Sequence, residues 1–228
     1  MNGYAALLLD LDGTLLDTAP DMGGALNRLR VERGREPLPS NVFRPVVSHG
    51  AARLVALGFP DATGDAFERL RLRFLELYAQ NLAGHTRLFP GIDEVLTELE
   101  DRGLPWGIVT NKPAWLTDPL LEALALTHRA ACVVSGDTLP ERKPHPLPLL
   151  HAAALAGVPP ERCVYVGDAE RDIQAGRAAG MATVVAAYGY LSVDDDPRSW
   201  QPTGIVAEPA DLRGWMAPRA VNVAGIHR

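Results

Sequence analysis

The chain has 228 residues, of which 47% are apolar and 22% are charged, so it can build the core of one large domain or of a domain with a smaller insertion. Its formal net charge is −6 and its arginines form no basic stripe, which argues against a nucleic-acid partner. Cys132 and Cys163 lie far apart in apolar runs and match no metal-binding spacing. They are predicted to be buried free thiols in a reducing compartment.

The N-terminal apolar run is too short for a signal peptide or a membrane helix, and no basic segment precedes it. We therefore expect a cytoplasmic protein that does not bind a membrane. The sequence leaves open whether it is a monomer or a homodimer.

Five short apolar runs are bounded by polar residues, which is typical of strands buried on both faces of a sheet. They cover residues 4–9, 106–109, 132–134, 164–166 and 183–187. Between them lie helical patterns at residues 92–102, 114–126 and 146–156. This alternation predicts an α/β fold with a Rossmann-like parallel sheet. In such sheets ligands gather at the carboxyl ends of strands, which is where Asp10, Thr110 and Asp168 fall.

One region interrupts the alternation. Residues 18–85 contain helical patterns, at 25–33 and 67–80, and no convincing strand. We predict an inserted helical domain over residues 18–85 and an α/β core formed by residues 1–17 and 86–228. The residues from about Ala217 show no strong pattern and are expected to form a loosely held tail.

The stretch LLLDLDGTLLDT, residues 7–18, places Asp10 and Asp12 two positions apart at the end of the first predicted strand. If the strand geometry persists, both carboxylates point to the same side. Two buried carboxylates repel each other, and a bound divalent cation relieves that repulsion. Oxygen ligands favour a hard ion, above all Mg²⁺. The alternative is a turn with solvated aspartates.

The stretch VYVGDAERD, residues 164–172, adds further carboxylates. Asp168 ends a buried strand, so it can complete a magnesium site with the acids of the first strand. Asp172 lies one helical turn later, where it can support that site or simply interact with the helix dipole.

Two more motifs offer groups that suit a phosphate. GIVTNKP, residues 107–113, ends a strand with Thr110 and Asn111, although such residues also end strands for turn reasons. The chain has 22 cationic residues, and its only lysines are Lys112 and Lys143. In ERKPHP, residues 141–146, prolines hold Lys143 at the start of a helix, where its compact ammonium can contact a phosphoryl oxygen and a carboxylate together. Lys112 either lines the substrate entrance or is a surface lysine.

A further candidate lies in the helical region, in the stretch RPVVSHGAARLV. The polar loop Ser48, His49 and Gly50 opens a helix whose free N–H groups can receive an anion, and Arg53 follows one turn later. This interpretation predicts a substrate that has a carboxylate as well as a phosphate. The alternative is a capped helix with a surface arginine.

In this order and spacing, the four core motifs resemble the haloacid dehalogenase-like hydrolase superfamily, in its phosphatase branch with a helical cap between the first two motifs. The resemblance implies that Asp10 is the nucleophile and that Asp12 is the general acid and base, whose backbone carbonyl also binds Mg²⁺. It further implies that Thr110 and Lys143 bind the phosphoryl group and that Asp168 binds the metal. Dehalogenase members lack an acid at the position of Asp12, so halide chemistry is disfavoured.

The resemblance therefore implies an Mg²⁺-dependent phosphomonoesterase that works through an aspartyl-phosphate. The segments TNKP, KPHP and AAYGYL are similar to those of phosphoglycolate phosphatases and of N-acetylmuramic acid 6-phosphate phosphatases, while DDDPRSW and VVSHGAA are closer to the second group. We expect 2-phosphoglycolate as the substrate, with the muramic acid ester as the first alternative and a sugar-phosphate mutase as the second. A catalytically silent binding protein is disfavoured, because such a protein would be expected to have lost one of four residues that are all present here: Asp10, Asp12, Lys143 and Asp168.

Overall fold

The protein is described here from a computed structural model, in which residues 3–216 are defined. The tail predicted from about Ala217 lies outside the described residues. The strands, in chain order, are β1 (Ala6–Leu9), β2 (Leu16–Asp17), β3 (Arg87–Leu88), β4 (Trp106–Val109), β5 (Cys132–Val134), β6 (Cys163–Gly167), β7 (Ala182–Ala186) and β8 (Gly204–Val206). The α-helices are α1 (Ala19–Glu32), α2 (Ser40–Phe43), α3 (Gly50–Gly58), α4 (Gly64–Ala79), α5 (Ile92–Asp101), α6 (Ala114–Ala123), α7 (Leu147–Leu155), α8 (Glu170–Ala178) and α9 (Arg213–Met216).

Six of the strands form one sheet in the order β5-β4-β1-β6-β7-β8, and every neighbouring pair is parallel. Leu8 of β1 pairs with Gly107 of β4 on one side and with Tyr165 of β6 on the other. After β1 the chain adds β4 and β5 on one side of it and then β6, β7 and β8 on the other side, so the strand order reverses beside β1. The predicted α/β fold with a Rossmann-like parallel sheet is confirmed, and the crevice at this reversal is where such folds bind ligands.

The central strand β1 shows why its continuous apolar run predicted a strand that is buried on both faces. Leu7 and Leu9 pack into the larger apolar cluster, whereas Ala6 and Leu8 face the smaller cluster on the opposite side of the sheet. Because side chains alternate along a strand, an apolar run without polar interruption requires a cover on each face. Helices provide that cover, which holds the end of β1 rigidly in the centre of the molecule.

The segment between β2 and β3, residues 18–85, contains only helices and turns within the described chain; we call it the helical segment. β2 and β3 pair antiparallel at its base, with Leu16 opposite Leu88. Within it, α1 packs against α3 and α4. The short pair of strands therefore joins the helical segment to the sheet close to the end of β1.

Helix α1 begins at Ala19, six positions before the predicted helical pattern at 25–33. Two features hid this start from the sequence analysis. Pro20 lies in the first turn, where a proline is tolerated because its missing N–H has no partner in the helix. Gly23 packs so closely on the ring of Phe43 that an added Cβ would lie 2.0 Å from it. Tertiary packing, rather than helix propensity, explains this glycine.

The two cysteines are buried and free, as predicted. Burial raises the pKa of the Cys132 thiol to about 11. None of the helices within residues 3–216 has both the length and the apolar character that a membrane crossing requires.

Candidate active site

The candidate site lies where β1 ends and turns. The Asp10 N–H donates to the Val166 carbonyl at 2.9 Å, which continues the β1–β6 ladder by one residue, and the Leu11 N–H then donates to Asp10 Oδ1 at 2.7 Å. Gly13 follows with a φ of 85°, a conformation that favours glycine. A Cβ at this position would lie 2.0 Å from Asp168 Oδ2. The glycine therefore lets the loop after β1 lie directly against the acid that follows β6.

Lys143 lies at the centre of the buried part of this site. Its Nζ is within hydrogen-bonding distance of four oxygens: Asp10 Oδ1 at 2.8 Å, Asp172 Oδ1 at 2.9 Å, the Val109 carbonyl at 2.8 Å and the Tyr165 hydroxyl at 2.8 Å. The side chain is only 1% exposed. Oxygens on several sides suit a compact ammonium better than the planar fork of arginine. These surroundings explain a lysine at this position in a chain whose cationic residues are nearly all arginine.

Three buried carboxylates could hold a metal ion. Asp10, Asp168 and Asp172 each offer an oxygen, and these oxygens lie within 4.8 Å of one another. Asp168 Oδ1 is buried and has no hydrogen-bond partner within residues 3–216. Such an atom is costly to bury unless something binds it. A set of carboxylate oxygens fits a hard divalent cation such as Mg²⁺, so the residues present suit the predicted metal.

The electrostatics of this acidic cluster point in the same direction. Burial, together with the nearby negative charges of Asp10 and Asp172, raises the pKa of Asp168 to about 7. Burial also raises the pKa of Asp10, while the Lys143 ammonium opposes that shift. A bound cation would reverse these effects and favour the ionised carboxylates.

Asp12 occupies a separate, more open part of the site. Its carboxylate accepts hydrogen bonds from Lys112 Nζ at 2.9 and 3.1 Å and from the Thr18 hydroxyl at 2.7 Å. Lys112 is buried, so it is not a surface lysine, and its ammonium lies 4.8 Å from the centre of the Tyr78 ring. Although burial lowers the pKa of Lys112, the Asp12 carboxylate and Tyr78 raise it above its usual value. The lysine therefore stays charged beside Asp12.

The helical segment reaches the acidic cluster through Ser48. The Ser48 hydroxyl donates to Asp168 Oδ2 at 2.6 Å and lies 3.3 Å from the backbone carbonyl of Asp12. The Ser48 carbonyl in turn accepts a hydrogen bond from Arg171 Nη2 at 2.6 Å. The Ser48 hydroxyl thus lies between the Asp12 carbonyl and the Asp168 carboxylate.

A cavity of about 700 Å³ separates the sheet edge from the helical segment. Its floor includes Asp10, Asp12, Thr110 and Lys143. From the helical segment it is lined by Met22, Val47, Ser48, His49, Gly50, Ala51, Ala52, Arg71, Phe74, Leu75 and Tyr78. The combination of apolar walls and a few charged groups is typical of a site for a small organic molecule.

The structure brings most of the residues singled out in the sequence together at this cavity. Asp168 and Asp172 lie in the buried cluster beside Asp10. His49 and Gly50 line the cavity. His49 is exposed overall, but partial burial of its ring and the nearby Arg171 charge lower its pKa. Their roles in binding remain predictions.

Two of the predicted binding residues have a different environment from the one expected. The Asn111 side chain is engaged with the backbone of Lys143, through Asn111 Nδ2 to the Lys143 carbonyl at 2.9 Å and the Lys143 N–H to Asn111 Oδ1 at 3.1 Å. This amide positions the lysine, and its phosphate-binding role remains a prediction. Arg53 is exposed and is not among the described residues that line the cavity.

Several residues at the site were not identified from the sequence. Arg71, Arg142 and Arg171 line the cavity, and Arg171 is the immediate neighbour of Asp172 in the GDAERD stretch. Tyr190 donates its backbone N–H to Asp168 Oδ2 at 2.9 Å and its hydroxyl to Asp17 Oδ1 at 2.8 Å. It lies in the AAYGYL segment, so the resemblance marked the region but no chemical reason pointed to the tyrosine.

Comparison with known proteins agrees with this geometry. The profile of the family described as haloacid dehalogenase-like hydrolase matches residues 7–186 of the chain. The chain belongs to this family. The six-stranded parallel sheet agrees with this membership.

Similar proteins cover nearly the whole chain. A phosphoglycolate phosphatase of Xylella fastidiosa is 48% identical over 203 residues, which are 89% of this chain and 89% of the relative. An N-acetylmuramic acid 6-phosphate phosphatase of Pseudomonas putida is 41% identical over 209 residues, covering 91% of this chain and 94% of the relative. A solved structure from Haemophilus somnus, described as a predicted phosphoglycolate phosphatase, matches with a TM-score of 0.83 at 29% identity and covers 94% of this chain and 98% of that one.

Proposed function

We propose that this protein is an Mg²⁺-dependent phosphatase that hydrolyses a small phosphate monoester with a carboxylate, 2-phosphoglycolate being the favoured substrate. The observation on which the proposal rests is the buried contact of Lys143 Nζ with Asp10 Oδ1 at 2.8 Å, beside the partnerless oxygen of Asp168. A carboxylate beside a fixed cation and a metal site is the arrangement that nucleophilic attack on a phosphate requires.

In the first step, Asp10 attacks the phosphorus in line with the ester oxygen. The bond between the Asp10 carboxylate and phosphorus forms as the bond to the ester oxygen breaks. Lys143 and the Thr110 hydroxyl would bind the equatorial oxygens of the phosphoryl group, where negative charge spreads in the transition state. Mg²⁺, held by Asp10, Asp168 and the Asp12 backbone carbonyl, would shield the anionic nucleophile from the anionic phosphate when bound.

Asp12 supplies the proton transfers. It donates a proton to the departing ester oxygen, which leaves Asp12 ionised beside the aspartyl-phosphate. It then takes a proton from the water that attacks phosphorus, so that Asp10 and inorganic phosphate are released. Its open position at the cavity supports this role, because the leaving group must lie next to the acid that protonates it.

The helical segment is proposed to act as a cap domain over residues 18–85, on a core formed by residues 1–17 and 86–228. Ser48 and Arg171 link its loop to the core, and its α4 helix forms one wall of the cavity. A cap of this kind would exclude water from the reaction and select the organic part of the ester. The cytoplasmic location remains a prediction, and the protein is expected to be either a monomer or a homodimer.

N-acetylmuramic acid 6-phosphate is a second candidate substrate. The cavity of about 700 Å³ has room for a substrate much larger than a two-carbon acid, and the Pseudomonas putida relative is named for this activity. Both candidates have a carboxylate, so a carboxylate requirement alone does not separate them.

The test is release of inorganic phosphate from both esters side by side, with Mg²⁺ and with EDTA as the control. We expect release that depends on Mg²⁺ and a kcat/KM that is higher for 2-phosphoglycolate. A preference for the muramic acid ester would assign the second candidate. If neither ester releases inorganic phosphate and the protein instead transfers a phosphoryl group back to a sugar, it is a mutase and not a hydrolase.

A further inference from the structure

The ion pair between Lys112 and Asp12 has a second feature besides its short distances. Lys112 is the more buried partner, with 4% of its side chain exposed, whereas 16% of the Asp12 side chain is exposed. The Lys112 ammonium faces the Tyr78 ring on one side and the cavity on the other. The cation therefore stays in place when Asp12 turns toward a leaving group.

The reaction proposed above requires Asp12 to leave this pair, because it must protonate the ester oxygen. That movement would leave a buried ammonium without its anion, which is strongly unfavourable. An anionic group of the substrate, close to the ester oxygen, would restore the balance. In a 2-phospho acid a single carbon separates the ester oxygen from the carboxylate, so that carboxylate lies within reach of the group that Asp12 leaves.

Tyr78 provides an independent indication of a ligand. Its hydroxyl is buried beside Lys112, and it makes no hydrogen bond of good geometry within residues 3–216. Tyr78 also lines the cavity. Buried hydroxyl groups normally have a partner, so a substrate oxygen at this position would satisfy it.

We infer that Lys112, with the Tyr78 hydroxyl, binds the carboxylate of a substrate in which the acid lies on the carbon that bears the phosphate ester. The inference rests on the proposed phosphatase function and specifies its substrate class. On binding, the carboxylate takes the position of Asp12 at the Lys112 ammonium, and Asp12 becomes free to face the ester oxygen. Lys112 is thus a specificity-determining residue, which explains the second lysine of the chain.

The geometry of α4 separates this class from acids whose carboxylate is distant from the ester. Tyr78 and Arg71 are both on this helix and both line the cavity. They are seven residues apart, which corresponds to about 10 Å along the helix axis. A carboxylate one carbon from the ester can reach the end at Tyr78 and Lys112, whereas the carboxylate of a long sugar acid can reach Arg71.

The experiment compares two esters that differ only in this group, 2-phosphoglycolate and 2-hydroxyethyl phosphate. The wild-type protein should prefer the acid in kcat/KM. In Lys112→Met the loss should be at least about tenfold greater for the acid than for the alcohol, since a hydrogen-bonded charge contributes about that factor. Arg71→Met should change both esters by the same factor. Equal losses in Lys112→Met would overturn the inference, because they are what a residue that only positions Asp12 would produce.

A binding measurement keeps the test independent of turnover. In the Asp10→Asn protein, calorimetry with 2-phosphoglycolate should show a Kd that rises at least about tenfold when Lys112→Met is added, while the Kd for inorganic phosphate stays the same. If Lys112→Met does not fold, Lys112→Arg takes its place, and a reduced but remaining preference for the acid is expected. An unchanged Kd for 2-phosphoglycolate would overturn the inference.

The outcomes also separate the two proposals. If the wild-type protein hydrolyses neither ester, the proposed function fails. If it hydrolyses both equally well, the phosphatase function stands and the assignment of Lys112 to the carboxylate fails.

Discussion

The two sides of the cavity differ in how deeply their charged and ionisable side chains are buried. On the sheet side, Asp10, Lys143 and Asp172 have side chains that are at most 4% exposed, and Lys143 Nζ contacts Asp10 at 2.8 Å and Asp172 at 2.9 Å. On the side of the helical segment, His49 is exposed and Arg71 pairs with Glu68 at the surface. We call the sheet side, whose charged groups hold one another in place, the interlocked side. We call the side of the helical segment, whose charged groups reach solvent, the adjustable side.

This difference matches the division of work in the proposed reaction. Groups that contact the phosphoryl oxygens gain most from rigid positions, because each displacement weakens the stabilisation of the transition state. Groups that select the organic part can vary without loss of the chemistry, and loops and added segments are the usual place for them. Substitutions on the sheet side should therefore affect kcat, and substitutions on the other side should affect KM.

The largest effect is expected from Asp10→Asn. An amide cannot form the covalent intermediate, so phosphate release should fall at least about 10⁴-fold with the fold retained. Mg²⁺-dependent phosphate release and weak binding of inorganic phosphate are the two measurements. Asp61→Asn, a change at an exposed carboxylate, is the matched control. Activity near that of the wild type in Asp10→Asn would refute the assignment of the nucleophile.

Lys143→Arg tests the interlocked side without removing the charge. The fork of arginine does not fit among four oxygens within 2.9 Å, so kcat should fall about 10²–10³-fold. Lys112→Arg is the natural comparison, because Lys112 opens on the cavity and its replacement should cost less in kcat for an ester without a carboxylate. Unaltered kcat/KM in Lys143→Arg would contradict the explanation given for this lysine.

A third change tests the joint between the two sides. The buried Asp21 of α1 accepts hydrogen bonds from the Thr86 N–H and hydroxyl, each at 2.7 Å, and from the His85 N–H at 2.9 Å. Asp21→Ala would leave the buried Thr86 groups without a partner and should lower the free energy of unfolding by about 2–3 kcal/mol. Urea denaturation measures this, with exposed Asp65→Ala as the control. Equal stability of the two variants would show that Asp21 does not hold this joint.

The smallest effect is expected on the adjustable side. Arg71→Ala should raise KM for N-acetylmuramic acid 6-phosphate about tenfold, with little change in kcat, since it removes one charged contact distant from the phosphate. Arg69→Ala, an exposed change on the same helix, is the control. Arg53→Ala tests the sequence-based prediction in the same assay. If KM rises more in Arg53→Ala than in Arg71→Ala, Arg53 is the substrate-binding arginine, as the sequence predicted, and Arg71 is not.

Most of the sheet could be predicted from the sequence, because strands buried on both faces leave continuous apolar runs. The three strands that were missed are short. β2 and β3 have two residues each, and β8 lies at the edge of the sheet with Ile205 exposed, so none of them produces such a run. The start of α1 was missed because Gly23 has a tertiary cause, the Phe43 ring, which no local pattern records.

The acids of the site were predictable for a related reason. Asp10 and Asp168 each end a buried strand, and the ends of parallel strands meet at one edge of the sheet. The residues that act through long-range contacts were not. Lys112 lies 100 positions from Asp12, and Tyr190 lies 22 positions from Asp168, so their partners depend on how the strands and loops are arranged in space.

The sequence by itself determined where the candidate groups lie, since strand periodicity and chain order place carboxylates and a threonine at the same edge of a parallel sheet; their chemical roles were implied by the family resemblance. Only the tertiary structure decided which groups surround them. It placed Lys112 against Asp12 and Tyr78, placed Arg71 rather than Arg53 in the lining of the cavity, and engaged the Asn111 amide with Lys143. The physical reason is that periodicity records which face of an element is buried, whereas the partner across the cavity is set by packing between elements distant in the chain.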